Sequence, residues 1–376
     1  MSGVRHLYVH MPFCMHRCGY CDFVTLVGRD GEHRRYVDAL LAELELEREV
    51  LSEPLETVFL GGGTPTFTQP GALTWLLNRL PAAREVTVEA NPETVTPELA
   101  ALLREAGVTR VSLGAQSFQP RLLEVLERRA SPDDVRRAVH TLRDAGFGNI
   151  SLDLLYGVPG QSAADLDHDL AEALALAPEH LSCYELEAKP GTRFTHAWGS
   201  ELGRQAEAME GYFERVVETL VGAGYRWYET ANFCLSPERT GGRDLRAQHN
   251  LGYWRARDYL GLGVGAVSTV GGTRWRNAPG QSGYLGTIEH GERPPREIEL
   301  LDDETRARER LMLGLRLDEP LALDRSLEGA LDAAALDRFT QEGLVDVVDV
   351  SSAVRVIRLT ERGRPLGGGV TAELFA

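Results

Sequence analysis

Six times in its first half the chain repeats one unit: a short β-branched or apolar run, a loop holding Gly, Asn or Asp, and an amphipathic helical stretch. Such alternation signals βα units feeding a parallel sheet, because a strand reaches a parallel partner only through a crossover, usually a helix. The runs fall at residues 7–10, 57–60, 86–89, 110–113, 150–154 and 181–186. Between the first two, Val37, Leu40, Leu41 and Leu44 recur at helical spacing and give one helix face an apolar stripe. Further helices are predicted over 97–106, 132–145 and 163–175. Six such units suit either an open doubly wound sheet or a partial barrel, and local pattern does not separate the two.

After Lys189 the rhythm changes. A predicted helix over 205–223 leads to an aromatic strand over 225–233, glycine-rich runs over 261–272 and a strand over 273–277. These read as an antiparallel extension of the sheet. Residues 293–296, with two prolines, read as a linker. Beyond it, helices over 305–315 and 333–342, a β pair over 344–348 and 354–359, and a terminal helix resemble a winged helix. The expected division is 1–190 for the βα core, 191–292 for the extension and 293–376 for the C-terminal module.

Composition narrows the function. A formal net charge of −16 repels a phosphate backbone, so no nucleic-acid partner is expected. No apolar run approaches the roughly 18 residues of a membrane span, and the opening residues lack the pattern of a secretory signal, so a cytoplasmic location is expected. Five cysteines, an odd number, argue against a disulfide framework.

Three of them, Cys14, Cys18 and Cys21, fall within eight residues just after the first strand, at the sheet edge where α/β active sites gather. That spacing lets a short loop curl three thiolates around one metal centre. Three are one short of the four that a closed zinc site or an electron-transfer cluster prefers, so an iron–sulfur cluster held this way keeps one iron open. Zinc completed by His10, His16, Cys183 or Cys234, or simply buried thiols, are the alternatives. The second strand ends in Gly61-Gly62-Gly63-Thr64-Pro65, where exposed amides can meet a polar ligand. Glu89, Gln116 and Asp153 recur at the same rim of later strands. A matched series of this kind suggests a polar ligand across the sheet's mouth, where single residues would read as loop caps.

The ordered strings LYVHMPF with CMHRCGYC, LGGGTPT, EANPE, LGAQSF and SLDLLYGVPGQ are similar to the radical S-adenosylmethionine (SAM) superfamily and, within it, to the oxygen-independent coproporphyrinogen III oxidase-like family. The resemblance spans essentially the whole chain. It implies an α/β fold: a partial (β/α)6 TIM-like barrel with the antiparallel extension and a small C-terminal winged-helix-like α+β module. It implies that Cys14, Cys18 and Cys21 bind a 4Fe-4S cluster whose open iron is chelated by the methionyl amine and carboxylate of S-adenosyl-L-methionine. Tyr8, Gly62, Gly63, Thr64, Glu89, Gln116, Arg128 and Asp153 match positions that hold SAM. Glu89 and Asp153 suit amine or ribose hydroxyls, and Arg128 suits the carboxylate. Tyr20 packs against adenine or simply against its neighbours.

Two departures from the oxidase point to the heme-chaperone branch of that family. Phe23 stands where the oxidase carries a further cysteine, and Cys14 lies almost at the start of the chain, where the oxidase has an extension. His249-Asn250-Leu251-Gly252-Tyr253-Trp254 matches the HNxxYW signature of the branch. The resemblance makes His249 a candidate heme ligand beside Asn250, with Tyr253 and Trp254 as flat porphyrin walls. Taken alone, an aromatic-rich strand flank with one histidine reads as core packing. Ala130 departs from the histidine common in relatives. Heme is then the expected cargo. Acceptor hemoproteins such as respiratory cytochromes, membrane ones included, are the expected partners, with the cluster and SAM in support. Radical decarboxylation of coproporphyrinogen, or another radical reaction, is the rival reading. No catalytic residue is assigned, and a homodimer is compatible with the sequence.

Overall fold

The computed structural model describes residues 3–189, 193–351 and 354–375. The six expected strands are present as β1 (His6–Met11), β2 (Leu55–Gly62), β3 (Ala83–Ala90), β4 (Arg110–Gln116), β5 (Ile150–Tyr156) and β6 (His180–Glu185). They pair in parallel and in chain order. Helix α1 (His33–Glu47) buries Val37, Leu40 and Leu44 of its stripe, with Leu41 half-buried at the margin. Helices α2 (Pro132–Asp144) and α3 (Ala163–Ala175) each begin with a serine whose hydroxyl accepts from an amide three residues on, while the aspartate there reaches back. That reciprocal cap satisfies amides the first helical turn leaves orphaned.

The later chain differs from expectation in three places. The predicted helix over 205–223 is two helices, Arg193–Ala206 and α4 (Met209–Gly222). The aromatic strand over 225–233 is a hairpin of β7 (Tyr225–Glu229) and β8 (Asn232–Leu235), turned because the Glu229 carboxylate accepts from Ala231 N and Asn232 Nδ2. The signature at 249–254 lies on a helix, α5 (Gln248–Trp254), rather than beside a strand. A ninth strand, β9 (Leu260–Leu262), is hidden in the glycine-rich run and pairs in parallel with β1. The sheet order is β9-β1-β2-β3-β4-β5-β6-β8-β7, so the extension supplies both edges.

Adjacent residues at the start of α5, its cap Ala247 and its first residue Gln248, show that this sheet curls. Ala247 N donates to Tyr228 of β7, and Gln248 N donates to Glu85 of β3. In a flat sheet those strands stand five spacings, about 24 Å, apart. One helix start touches both only if the sheet wraps into a partial barrel, as expected. A second sheet joins β10 (Val267–Val270), β11 (Thr273–Asn277) and β12 (Arg296–Leu300), so the segment read as a linker runs into a strand. Helix α6 (Asp303–Gly314) opens a module of helix, strand, two helices, two strands and the expected terminal helix (Gly367–Glu373), with its own core around Leu311, Leu327, Phe339 and Ile357. That order is winged-helix-like. Among the described residues no helix is long and apolar enough to cross a membrane.

Glu43 of α1 is 0% exposed and accepts from Gly263 N, Tyr284 Oη and Asn277 Nδ2 at 2.7–2.8 Å, tying α1 to the far edge of the barrel. Burial pushes its pKa up to about 7 against the pull of these donors. The fold therefore favours the protonated form. The stability this gives is complete below the ordinary value of 4.5 and is lost as pH rises through about 7. Relative to Glu43→Gln, wild-type protein is expected to lose about 3 kcal/mol of unfolding free energy between about pH 4 and pH 8, read by denaturant titration. A wild-type-to-variant difference that stays constant with pH contradicts this.

Candidate functional site

The C-terminal ends of β1 to β5 form one rim. Past β1 the chain makes a two-residue strand, Phe13–Cys14, that pairs with Leu26–Val27 and closes the base of the cysteine loop. His10 fastens the loop from inside: its Nε2 donates to Val24 O at 2.8 Å, leaving Nδ1 to accept from Tyr8 Oη at 3.1 Å. With both nitrogens engaged, His10 is not free to complete a zinc site. Cys183 and Cys234 are buried on β6 and β8, away from this loop. His16 lies in the loop itself, between Cys14 and Cys18, with Nε2 3.9 Å from Glu127.

Cys14, Cys18 and Cys21 share the loop and feel one another electrostatically. Burial pushes the Cys14 thiol up to about 11, and the other two sulfurs add to the push. Burial likewise raises Cys21. Among the described residues no three His, Cys, Asp or Glu side chains already converge on a point that could grip an ion. The surroundings nevertheless suit sulfur that carries negative charge. Thr64 Oγ1 donates to Cys14 Sγ at 3.5 Å and Arg128 Nη1 donates to Cys18 Sγ at 3.7 Å. Arg128 Nε is buried without a partner. A desolvated cation with an unused donor beside clustered thiols fits a negatively charged group bound at this loop.

One network knits the rim. Asn91 Nδ2 donates to Thr64 Oγ1 at 3.1 Å, and Arg128 Nη2 donates both to Asn91 Oδ1 at 2.9 Å and to Gly114 O at 2.8 Å. Two cysteines are thus linked through the ends of β2, β3 and β4. Asn91 and Gly114 are absent from the residues singled out on sequence, although both lie inside the quoted strings EANPE and LGAQSF. A Cβ on Gly114 would stand 2.9 Å from Gln116 Nε2 and 3.3 Å from Arg128 Nη2, so the glycine lets the ends of both side chains close onto the strand. Gln116 itself sits at φ 66°, where the register between β4 and β5 shifts. Such strain in a non-glycine residue clusters at functional rims.

Glu89 and Asp153 stand side by side across the mouth. Glu89 Oε2 accepts from Gly62 N at 3.1 Å, and burial together with the Asp153 charge pushes its pKa up to about 7. Burial also raises Asp153, whose carboxylate accepts from Ser112 Oγ. Two such acceptors can take hydrogen bonds from an amine or from sugar hydroxyls. The glycines of β2 answer first to the neighbouring strand: a Cβ on Gly62 would meet the His10 ring at 2.4 Å, and one on Gly63 would meet Pro12 backbone at 2.7 Å. Tyr8 stacks on Phe59 at 6.2 Å. Tyr20 meets Phe194 edge-on and packs beside Leu122, Leu126 and Leu155. Phe23, at 62% exposure, projects from the loop.

His249 lies inward of the cysteine loop, its ring 6.4 Å from that of Tyr8. It is 1% exposed inside the barrel, stacked on Phe59 at 5.1 Å, with Nδ1 bonded to Thr57 Oγ1 at 2.7 Å and Nε2 to Tyr253 Oη at 2.9 Å. Burial pushes its pKa down to about 3, so the ring is neutral. Asn250 is half-buried on the same helix. Tyr253 meets Tyr259 edge-on at 4.6 Å, and Trp254 lies under the Arg316 guanidinium at 4.6 Å. The structure thus gathers the rim residues together and brings the 249–254 helix up to them from inside the barrel, where the Tyr253 hydroxyl feels Tyr8 and Glu89.

Comparison with known proteins agrees with this geometry. The description "Radical SAM superfamily" matches residues 8–173. The chain is 36% identical to the heme chaperone HemW of Mycobacterium tuberculosis, over 98% of this chain and 94% of that one. It is 33% identical to the heme chaperone HemW of Bacillus subtilis, over 98% of both. Among solved structures, the coproporphyrinogen III oxidase HemN of Escherichia coli, a radical SAM enzyme, superposes with a TM-score of 0.79 at 22% identity, covering 99% of this chain and 90% of that one. The oxidase likeness establishes the shared α/β architecture, while the whole-length identities are to chaperones. The chain therefore belongs to the radical SAM superfamily and, within it, to the heme chaperone HemW family.

Proposed function

We propose that this protein binds heme and passes it to acceptor hemoproteins such as respiratory cytochromes, supported by a 4Fe-4S cluster and SAM at the barrel rim. The observation that carries the reading is identity of 33–36% along 98% of the chain to heme chaperones. Phe23 at the cysteine loop, where the oxidase-like pattern has a further thiol, supports the chaperone over the enzyme.

In this reading Cys14, Cys18 and Cys21 hold the cluster, with Thr64 and Arg128 donating to two of the sulfurs. When bound, the cluster with SAM supplies one-electron and radical chemistry at its open iron. Arg128 orients the methionyl carboxylate, and Asn91 holds Arg128 in place. Glu89 and Asp153 accept from amine and ribose hydroxyls, Gly62 and Gly63 line the polar end, and Gln116, Tyr8 and Tyr20 pack around it. His249, with both ring nitrogens engaged, positions α5 against β2 rather than ligating iron. Tyr253 holds His249 from the same helix, and Trp254 carries the contact to Arg316.

Anaerobically reconstituted protein is expected to bind about one heme per chain. It should leave coproporphyrinogen III unconverted when SAM and a reductant are supplied. Robust formation of protoporphyrinogen by the wild-type chain overturns the proposal in favour of the oxidase.

A further inference from the structure

A cleft of about 1000 Å³ opens between the β5–β8 side of the barrel and the C-terminal module. This is the upper end of the roughly 300–1,000 Å³ range typical of cofactor pockets. Its walls are flat and soft: Trp227 and Phe213 on the barrel side, Met312 and Leu366 on the module side, with Met209 and Cys183 in the same lining. Trp227 is held face-on against Phe233 and edge-on against Phe213, and it fixes the Arg364 guanidinium over its ring.

Charge divides the cleft. Glu185, Glu187, Glu210 and Glu214 border it from the barrel, whereas Arg316 and Arg364 border it from the module. The Arg364 guanidinium lies 3.6 Å over the Trp227 ring and donates through Nη1 to Trp227 O at 2.7 Å, while Nη2 is buried with no hydrogen-bond partner. Burial holds this cation down to about 10 against the nearby charges of Asp318 and Glu229. Arg316 is held by Glu229 at 2.7 Å and stacks on Trp254. The signature helix therefore reaches the cleft through that stack and without His249.

The alternative seat beside Tyr253 and Trp254 is smaller, about 350 Å³. Its Arg257, Arg274 and Arg310 are already paired with Glu56, Glu309 and Asp324.

We infer that the cleft between barrel and C-terminal module is the heme seat, taking the porphyrin between Phe213 and the Met312–Leu366 wall and its propionates at Arg364. This rests on the heme-carrying reading above and gives it a place. No histidine lines the cleft, so Met209, Met312 and Cys183 are the sulfur donors it offers to iron.

The test titrates hemin into reconstituted protein. Arg364→Glu is expected to weaken binding at least about tenfold, because it replaces a charge-assisted contact with repulsion. Leu366→Trp, at a half-exposed position where folding is not at stake, should weaken it by filling the cleft. Hemin dimethyl ester, lacking propionate charge, should bind wild type and Arg364→Ala alike. Arg274→Ala, in the smaller cavity, should leave hemin affinity unchanged. Wild-type affinity in both Arg364→Glu and Leu366→Trp, or loss confined to Arg274→Ala, overturns the placement alone. Failure of the wild type to bind hemin overturns the heme-carrying reading and the placement with it.

Discussion

Alanine in place of Cys14, Cys18 or Cys21 is expected to reduce reconstituted iron from about four per chain to background, with loss of the cluster's visible absorption. The three sulfurs share one short loop, two of them accept side-chain hydrogen bonds from the rim, and no spare thiol stands nearby to substitute. A cluster with only two cysteine ligands is left with two irons open rather than one. Cys183→Ala and Cys234→Ala should reconstitute as wild type, because both thiols are buried on strands and raised by that burial. Retention of the cluster in a Cys18 variant, with loss in a Cys183 or Cys234 variant, contradicts the assignment.

The next largest effect is expected at Arg128. Its guanidinium reaches Cys18 Sγ, Asn91 Oδ1 and Gly114 O and still has Nε without a partner. Arg128→Ala should weaken SAM binding by about 10- to 100-fold, the range for losing a hydrogen bond to a charged group. Iron content should be retained. Lysine should not restore affinity, since a point charge lacks the fork that spans several acceptors at once. The measurement is isothermal titration with SAM under anaerobic conditions, beside iron analysis of the same samples. Unchanged affinity in Arg128→Ala would remove this side chain from the ligand's carboxylate.

Much of this was legible because its signals are local. The βα alternation and the α1 stripe are written within a few residues, and the structure places strands and helices there. Residues that act through distant partners were not. β9 is three residues long in a glycine-rich run and becomes a strand only because β1 offers it an edge. The aromatic content of 249–254 suggested a strand flank. Those residues are helical because the Glu85 carboxylate of β3 takes the amides of Gln248 and His249 at the helix start. The engagement of both His249 nitrogens depends on Thr57 from β2 as well as its own helical neighbour Tyr253. Asn91 and Gly114 stood inside quoted motifs, yet only folding shows that one bridges Thr64 to Arg128 and the other leaves room for Arg128 and Gln116.

The most direct test of the central claim is transfer itself. Heme-loaded protein, mixed with membranes whose respiratory cytochromes have been depleted of heme, should lose its heme to them faster than it loses heme to apomyoglobin at equal acceptor concentration, followed by the cytochrome difference spectrum. Delivery that is no faster than to apomyoglobin means passive release, and contradicts the assignment of this protein as a heme carrier.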